Sequence, residues 1–545
     1  MKELLIVASL ISTVKATTPS TYTETSVDIT EMNITEIQEA VDEGYINYEK
    51  IMKIYLERID EYNDKYNAIL YVNPNALEEA KKADEEYQKN GRTSDLFGLP
   101  IVVKDNIDVK GMPTTGGTKA LSDNYPKEDA PAIKKVKEAG GIIIGKTNMS
   151  EFALSAYSSY SSYGHVKNAY NTNYSSYGSS GGTAVAVAAN FAVAGLGTDT
   201  GGSVRLPSAA NNLVGLRPTH GSVSGDGVIK YDKTRDTIGP ITRYVEDNAI
   251  LMDIISTKDT SFKKSISKKD SLKGIRIGVA TQFNSPDSGI NSLMNKAIKE
   301  FKSEGAEIVY INNFYNGYYS FNDKSFCYDF NQYLKGTTGT IRTFQELKKS
   351  GKYVLNMNWV DLSECSRDYT TTSGYKKIQN DRDNYTNYVK NKFSSNNVDV
   401  VIYPTIMSRL LTYSSAKNGS SKTRAYTITA TGYPSMNLQI GKLNGLSYGM
   451  EMVTLANNES KLYEIASVYE SNTKYYNNPT ISKNLYTISD NLVKIKDNYK
   501  KSNSKYKKID RLTKEYLKDY DGSNKSNLKE SLLSSLYELV DRNSK

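Results

Sequence analysis

Two glycine-rich turns that each deliver a serine constrain this 545-residue chain more than any other feature. Gly178-Ser179-Ser180-Gly181-Gly182-Thr183 is followed by Gly197-Thr198-Asp199-Thr200-Gly201-Gly202-Ser203-Val204-Arg205. Upstream lies Gly98-Leu99-Pro100-Ile101-Val102-Val103-Lys104-Asp105. Glycine accepts backbone angles that side chains resist, so such runs mark tight turns and close approaches of the main chain. Together the three segments supply two serines, one lysine and a turn, Thr200 to Ser203, able to present successive main-chain N–H groups into one concavity.

Those are the parts of an acyl-transfer centre: a nucleophile, a base that activates it near neutral pH, and donors for the oxyanion of a tetrahedral intermediate. A serine hydroxyl is a weak nucleophile whose usual partner is histidine, yet the chain holds only His165 and His220. A lysine base is the economical reading. It requires that burial or cationic neighbours lower the amine's pKa until the neutral form is available. Lys104 suits the role because Ile101, Val102 and Val103 read as a strand that carries it inward. Taken alone, it reads as a strand-end lysine reaching for water, since charged residues are mostly exposed.

In order and spacing these segments resemble the amidase signature family, whose members share a lysine in a Gly-Leu-Pro-like strand, a Gly-Ser-Ser-Gly-Gly turn and a Gly-Thr-Asp-x-Gly-Gly-Ser loop. Carried over residue by residue, the lysine is Lys104, the bridging serine Ser179 and the attacking serine Ser203. The resemblance implies a Ser-cisSer-Lys triad with a cis peptide bond at Ser179. It also implies a relay in which neutral Lys104 takes the Ser179 proton while Ser179 takes that of Ser203, and which reverses to protonate the leaving amine. Thr200, Gly201, Gly202 and Ser203 are the expected oxyanion hole. Ser180, Asp199 and Arg205 are expected to support the loop, the last two as an ion pair.

Agreement extends to Asp236-Thr237-Ile238-Gly239-Pro240-Ile241 with Val245-Glu246-Asp247, to Ala430-Thr431-Gly432-Tyr433-Pro434-Ser435, and to Gly445-Leu446-Ser447-Tyr448-Gly449-Met450, so that the resemblance covers residues 30–480. Thr183, Tyr177 and the proline-free Asn168-Ala169-Tyr170-Asn171 depart from the family pattern. None removes a proposed catalytic group, and Tyr177, beside Ser179, is expected to narrow the pocket. A competing pattern, Gly178-x-Ser180-x-Gly182, fits the nucleophile elbow of α/β-hydrolases, which needs an acid and then a histidine downstream. Only His220 follows, inside Arg217-Pro218-Thr219-His220-Gly221, itself similar to an amidase segment.

The implied fold is α/β: a central mixed β-sheet flanked by helices, with a helical C-terminal extension at 481–545. The residues agree, because apolar runs such as Ile142-Ile143-Ile144 and Val400-Val401-Ile402 alternate with helical stretches such as Ala76 to Tyr87. Met1-Lys2-Glu3, the apolar run from Leu4 to Val14 and Val14-Lys15-Ala16 read as a short secretory signal ending at residue 16, the alternative being an N-terminal helix. Cys327 and Cys365 could pair outside the cell or stay as buried thiols, and their separation excludes a compact metal motif. With two histidines in the chain, neither a metal nor a cofactor is expected.

The formal charge of +8 is concentrated at the end, where residues 471–545 hold 16 Lys and Arg against 9 Asp and Glu. That stretch reads as two helices, with Ile509, Leu512, Tyr516 and Tyr520 on one face and Leu528, Leu532, Leu536 and Leu539 on another, separated by Asp521-Gly522-Ser523-Asn524. It is either a solvated hairpin packed on the body or an electrostatic contact with an anionic cell surface. No nucleic-acid fold motif accompanies the lysines.

The expectation is a secreted or surface-exposed amidase that takes a small-molecule or peptide amide and releases ammonia or an amine. Two other readings stand beside it. One is the glutaminase component of a tRNA-dependent amidotransferase, which a secretion signal would contradict; the other is a non-catalytic surface-binding protein on the same fold. The acyl group stays open: Tyr328-Asp329-Phe330-Asn331 and Tyr333-Leu334 are only faintly similar to the branch acting on peptide and aliphatic amides.

Overall fold

A computed structural model of the chain describes residues 29, 30, 32–266, 270–317, 323–416 and 421–476. The expected signal at 1–16 and the basic extension at 481–545 lie outside the described residues. Contacts divide the chain into two units, 1–51 with 480–545, and 52–479. In the first, helix Ile34–Asp42 is started by Asn33, whose side chain accepts from the Glu36 N–H while the Glu36 carboxylate accepts from the Asn33 N–H. This reciprocal cap satisfies two donors that a helix start leaves unpaired.

The second unit is built on strands β1 (Ile69–Val72), β2 (Pro100–Lys104), β3 (Ile142–Thr147), β4 (Tyr160–Ser161), β5 (Gly164–His165), β6 (Ala194–Asp199), β7 (Val214–Arg217), β8 (Thr237–Thr242), β9 (Arg276–Ala280), β10 (Glu307–Ile311), β11 (Val400–Pro404), β12 (Ser435–Leu443) and β13 (Leu446–Val453). All but the β4–β5 hairpin form one sheet of eleven strands in the order β1-β3-β2-β6-β8-β7-β12-β13-β11-β9-β10. Pairing is parallel within β3-β2-β6 and within β11-β9-β10, and antiparallel elsewhere. The fold is therefore α/β with a large mixed central sheet flanked by helices.

Why these strands lie centrally follows from their composition. Every residue of β2, β3, β6 and β8 is buried, as expected where helices cover both faces of a sheet and the strands lose polar alternation. In β6 the alternating Gly195 and Gly197 let a helix come unusually close. A Cβ at Gly195 would lie 2.5 Å from Thr183 Cγ2, and one at Gly197 would lie 2.7 Å from Ser180 Oγ. Helix Gly181–Ala188, made only of glycine, threonine, alanine and valine and buried along its whole length, thus sits directly on the strand. This contact fixes where its first turn, with Ser179 and Ser180, meets the end of β6.

A separate buried cluster gathers Phe152, Ile229, Phe326, Phe330, Phe344 and Leu347 around Cys327 and Cys365, which are joined in a disulfide. Of the two states left open for these cysteines, the structure has the paired one. The bond ties helix Phe326–Leu334 to the turn Leu362–Ser366 across 38 positions of sequence. Among the described residues, no helix is long and apolar enough to cross a membrane.

Candidate active site

Lys104 is the last residue of β2, and the apolar run before it carries the side chain to full burial. Its Nζ lies 2.6 Å from Ser179 Oγ and 2.7 Å from Thr198 Oγ1, with the Thr198 carbonyl at 3.5 Å. Loss of hydration pulls its pKa down to about 7, against the opposing pull of the Asp236 and Asp199 carboxylates. Burial disfavours the charged amine, so near neutral pH an appreciable fraction of Lys104 can accept a proton. An amine in that state has two hydrogens to give and one lone pair to offer, and three oxygens stand within its reach.

Thr198 had no role in the reading from sequence, although it stands in the Gly-Thr-Asp segment. It meets Lys104 because β6 is the parallel neighbour of β2, with Val103 opposite Leu196. Asn106, two residues beyond Lys104, donates through Nδ2 to the same Thr198 hydroxyl at 3.1 Å. Only strand order could have revealed these partners.

The peptide bond Gly178–Ser179 is cis. The carbonyl of Ser179 accepts from the Ser150 N–H at 3.1 Å and from the Ser159 hydroxyl at 3.2 Å. Ser180 turns its hydroxyl to the main chain of Thr198, 3.2 Å from the carbonyl and 3.3 Å from the N–H. Its own N–H donates to the carbonyl of Ser203 at 3.2 Å. Lys104 and Ser179 are fully buried, and Ser203 is buried with 4% of its surface exposed.

The loop from Asp199 to Arg205 is organised by one carboxylate. Asp199 accepts from the N–H groups of Gly202 (2.8 Å) and Val204 (3.1 Å), the two residues that flank Ser203. It also receives Arg205 through Nε (3.0 Å) and Nη2 (3.1 Å), and Arg217 through Nη1 (3.3 Å). Burial alone would raise its pKa, but Arg205 and Arg217 hold the carboxyl well below the usual carboxylate range. It therefore stays ionised throughout the range in which an enzyme works.

This arrangement corrects one expectation. Gly202 gives its N–H to Asp199 and is not an oxyanion donor; its contribution is conformational. It adopts φ +113°, and a Cβ there would lie 2.6 Å from Ala425 Cβ and 2.9 Å from Leu206 Cδ1. The N–H groups of Thr200, Gly201 and Ser203 donate to no group among the described residues. They are the ones available to an oxyanion.

The elbow reading has no pair to stand on. The Ser180 hydroxyl is taken by the Thr198 main chain, and His220 is exposed with Nε2 3.3 Å from the Lys233 carbonyl. His165 stacks on Tyr160 with ring centroids 4.3 Å apart. Tyr177 is buried at φ +58°, and its hydroxyl donates to Ser421 Oγ at 3.0 Å, which ties the serine turn to the segment after β11.

Residues 50–463 match the profile of the amidase family. The A-subunit of the glutamyl-tRNA(Gln) amidotransferase of Clostridium botulinum (strain Okra / Type B1) is 31% identical over 498 residues, covering 83% of this chain and 99% of the relative. Among solved structures, a native peptide amidase from Stenotrophomonas maltophilia superposes with a TM-score of 0.74 at 25% identity, covering 83% of this chain and 99% of its own. The A-subunit of the glutamyl-tRNA(Gln) amidotransferase of Thermotoga maritima superposes with a TM-score of 0.64 at 25% identity, over 83% and 97% of the two chains.

Proposed function

This chain belongs to the amidase signature family and hydrolyses amides, and we propose that it does so through an acyl-enzyme on Ser203 with Ser179 as proton bridge and Lys104 as base. The observation that carries the reading is the 2.6 Å hydrogen bond between a wholly buried lysine and Ser179.

In this reading neutral Lys104 accepts the Ser179 proton as Ser179 accepts the proton of Ser203, and Ser203 Oγ adds to the amide carbonyl. The oxyanion gathers hydrogen bonds from the main chain of Thr200, Gly201 and Ser203. Such preorganised donors act where charge develops and each is worth about 10²- to 10³-fold in rate. The relay then runs backwards: the C–N bond breaks, the nitrogen takes the proton, and ammonia or an amine leaves. Water enters by the same base and breaks the ester, which frees the carboxylate and restores Ser203.

Substrates of this reading are small-molecule or peptide carboxamides, a choice supported by the likeness to a peptide amidase. Glutamine within an amidotransferase complex is the second reading, supported by relatives 31% identical that carry that name. Work outside the cell is also part of the proposal. Its support is the Cys327–Cys365 disulfide, since such bonds persist mainly in oxidising compartments, together with the N-terminal sequence pattern.

The deciding experiment measures ammonia release from aliphatic, aromatic and C-terminal peptide amides and from glutamine, beside Ser203→Ala. Release that disappears in the variant supports the serine mechanism and ranks the substrates. Release from glutamine alone favours the amidotransferase reading. Release that survives in Ser203→Ala sinks the assignment, and none from any amide by folded protein turns the reading towards binding.

A further inference from the structure

We propose that Glu451, 248 positions from Ser203, is a positioning residue for the reaction: it locks Arg205, and through Arg205 the Asp199 carboxylate that shapes the loop around Ser203. The inference rests on Ser203 being the nucleophile.

Glu451 lies in β13 and is fully buried. Its Oε2 receives Arg205 Nη1, the Tyr403 hydroxyl at 3.0 Å and the Ser435 hydroxyl at 3.0 Å. Arg205 meanwhile spends Nε and Nη2 on Asp199 and reaches the Ala425 carbonyl with Nη2 at 2.9 Å. A guanidinium is a rigid planar fork, so a partner on its remaining edge fixes the whole group. Glu451 is that partner.

Charge makes the same demand. Asp199 faces two buried cations, Arg205 and Arg217, and the buried Asp236 carboxylate shares the charge of Arg217. Glu451 supplies the second negative charge on the Arg205 side. A buried charge without a counter-charge is costly and moves until it finds one. Without Glu451, the fork that holds both oxygens of Asp199 loses its anchor. Asp199 holds the N–H groups on either side of Ser203, so the error is delivered to the nucleophile and to the adjacent oxyanion donors.

The test compares Glu451→Gln, which keeps size and an acceptor oxygen but removes the charge, with Tyr403→Phe and Ser435→Ala, which remove neutral donors to the same oxygen and keep the ion pair. Amide turnover, melting temperature and the rate of Ser203 labelling by a fluorophosphonate are read for each. For Glu451→Gln we expect kcat to fall about 10- to 100-fold with KM changed less than about threefold, since the loop acts in the transition state more than in ground-state binding. Labelling should slow in parallel. The two neutral variants should stay within about twofold of wild type in kcat, whatever their melting temperatures.

A purely structural role gives the opposite pattern, in which Glu451→Gln melts lower but keeps full kcat and labelling in its folded fraction; that result overturns the proposal. Should Glu451→Gln not fold, Glu451→Asp decides, because it keeps the charge and withdraws it by one methylene. Full labelling in Glu451→Asp overturns the proposal, and slowed labelling supports it. Wild-type turnover that persists in Ser203→Ala would remove the underlying nucleophile assignment, and this inference with it. Normal rates in folded Glu451 variants would remove only the role of Glu451.

Discussion

Ser180 donates its main-chain N–H to the carbonyl of Ser203 at 3.2 Å, so the turn that carries Ser179 and Ser180 and the loop that carries Ser203 are one hydrogen-bonded unit. The Ser180 hydroxyl extends that unit to Thr198, which shares Lys104 with Ser179. The proposed proton path is therefore held by main-chain bonds on both sides.

Ser203→Ala should lower amide turnover by at least about 10⁴-fold and abolish fluorophosphonate labelling, as removal of a serine nucleophile does elsewhere. The hydroxyl is its only lost group, so the melting temperature should stay within a few degrees. Circular dichroism melts beside the ammonia assay would check both.

In the proposed mechanism Lys104 sets the pH dependence. Its folded pKa is depressed from 10.5 to about 7, and only the neutral amine can serve as base, so kcat/KM should rise with pH through about 7 and level off above it. A profile flat between pH 5 and pH 9 would contradict a lysine base.

The same shift has a cost in stability. The unfolded chain binds the lysine proton up to its ordinary value while the folded chain has already released it, so this group's destabilisation is full below about 7 and fades as pH rises towards 10.5. Lys104→Met should abolish most turnover yet raise the melting temperature near pH 7, and the gain should shrink at higher pH. A melt series across pH on both proteins tests the sign.

Gly202→Ala places a side chain at φ +113° against Ala425 and Leu206. We expect a loss of about 1–3 kcal/mol in stability and a drop in kcat larger than any change in KM. Wild-type kcat and melting temperature in this variant would refute the conformational role given to Gly202.

The disulfide closes a loop of 38 positions, and removing such a link typically costs about 2–4 kcal/mol. Reductant should lower the melting temperature of the wild type but not of Cys327→Ser/Cys365→Ser. Neither cysteine touches Lys104, Ser179 or Ser203 in the structure, so the folded double variant should keep its turnover.

Much of this molecule was legible before its fold was known, because the deciding features are local. Glycine at 178 and again at 201 and 202 declares where the main chain turns, glycine at 181 and 182 where a helix start is packed closely, and the apolar residues before Lys104 declare a strand that ends inside. The basic stretch beyond residue 480 and the pattern at 1–16 are equally local, but they lie outside the described residues.

What the sequence by itself determined is the family, the mixed α/β architecture and the chemical inventory at the ends of β2 and β6. Tertiary structure decided the rest. It placed Thr198 beside Lys104, gave the Gly202 N–H to Asp199 and not to the pocket, paired Cys327 with Cys365, and brought Glu451 onto Arg205 from 246 positions away. The physical reason is that backbone conformation and burial are largely set by a residue and its near neighbours, whereas a hydrogen bond needs two groups in register. That register comes from the order in which the strands pair across the sheet.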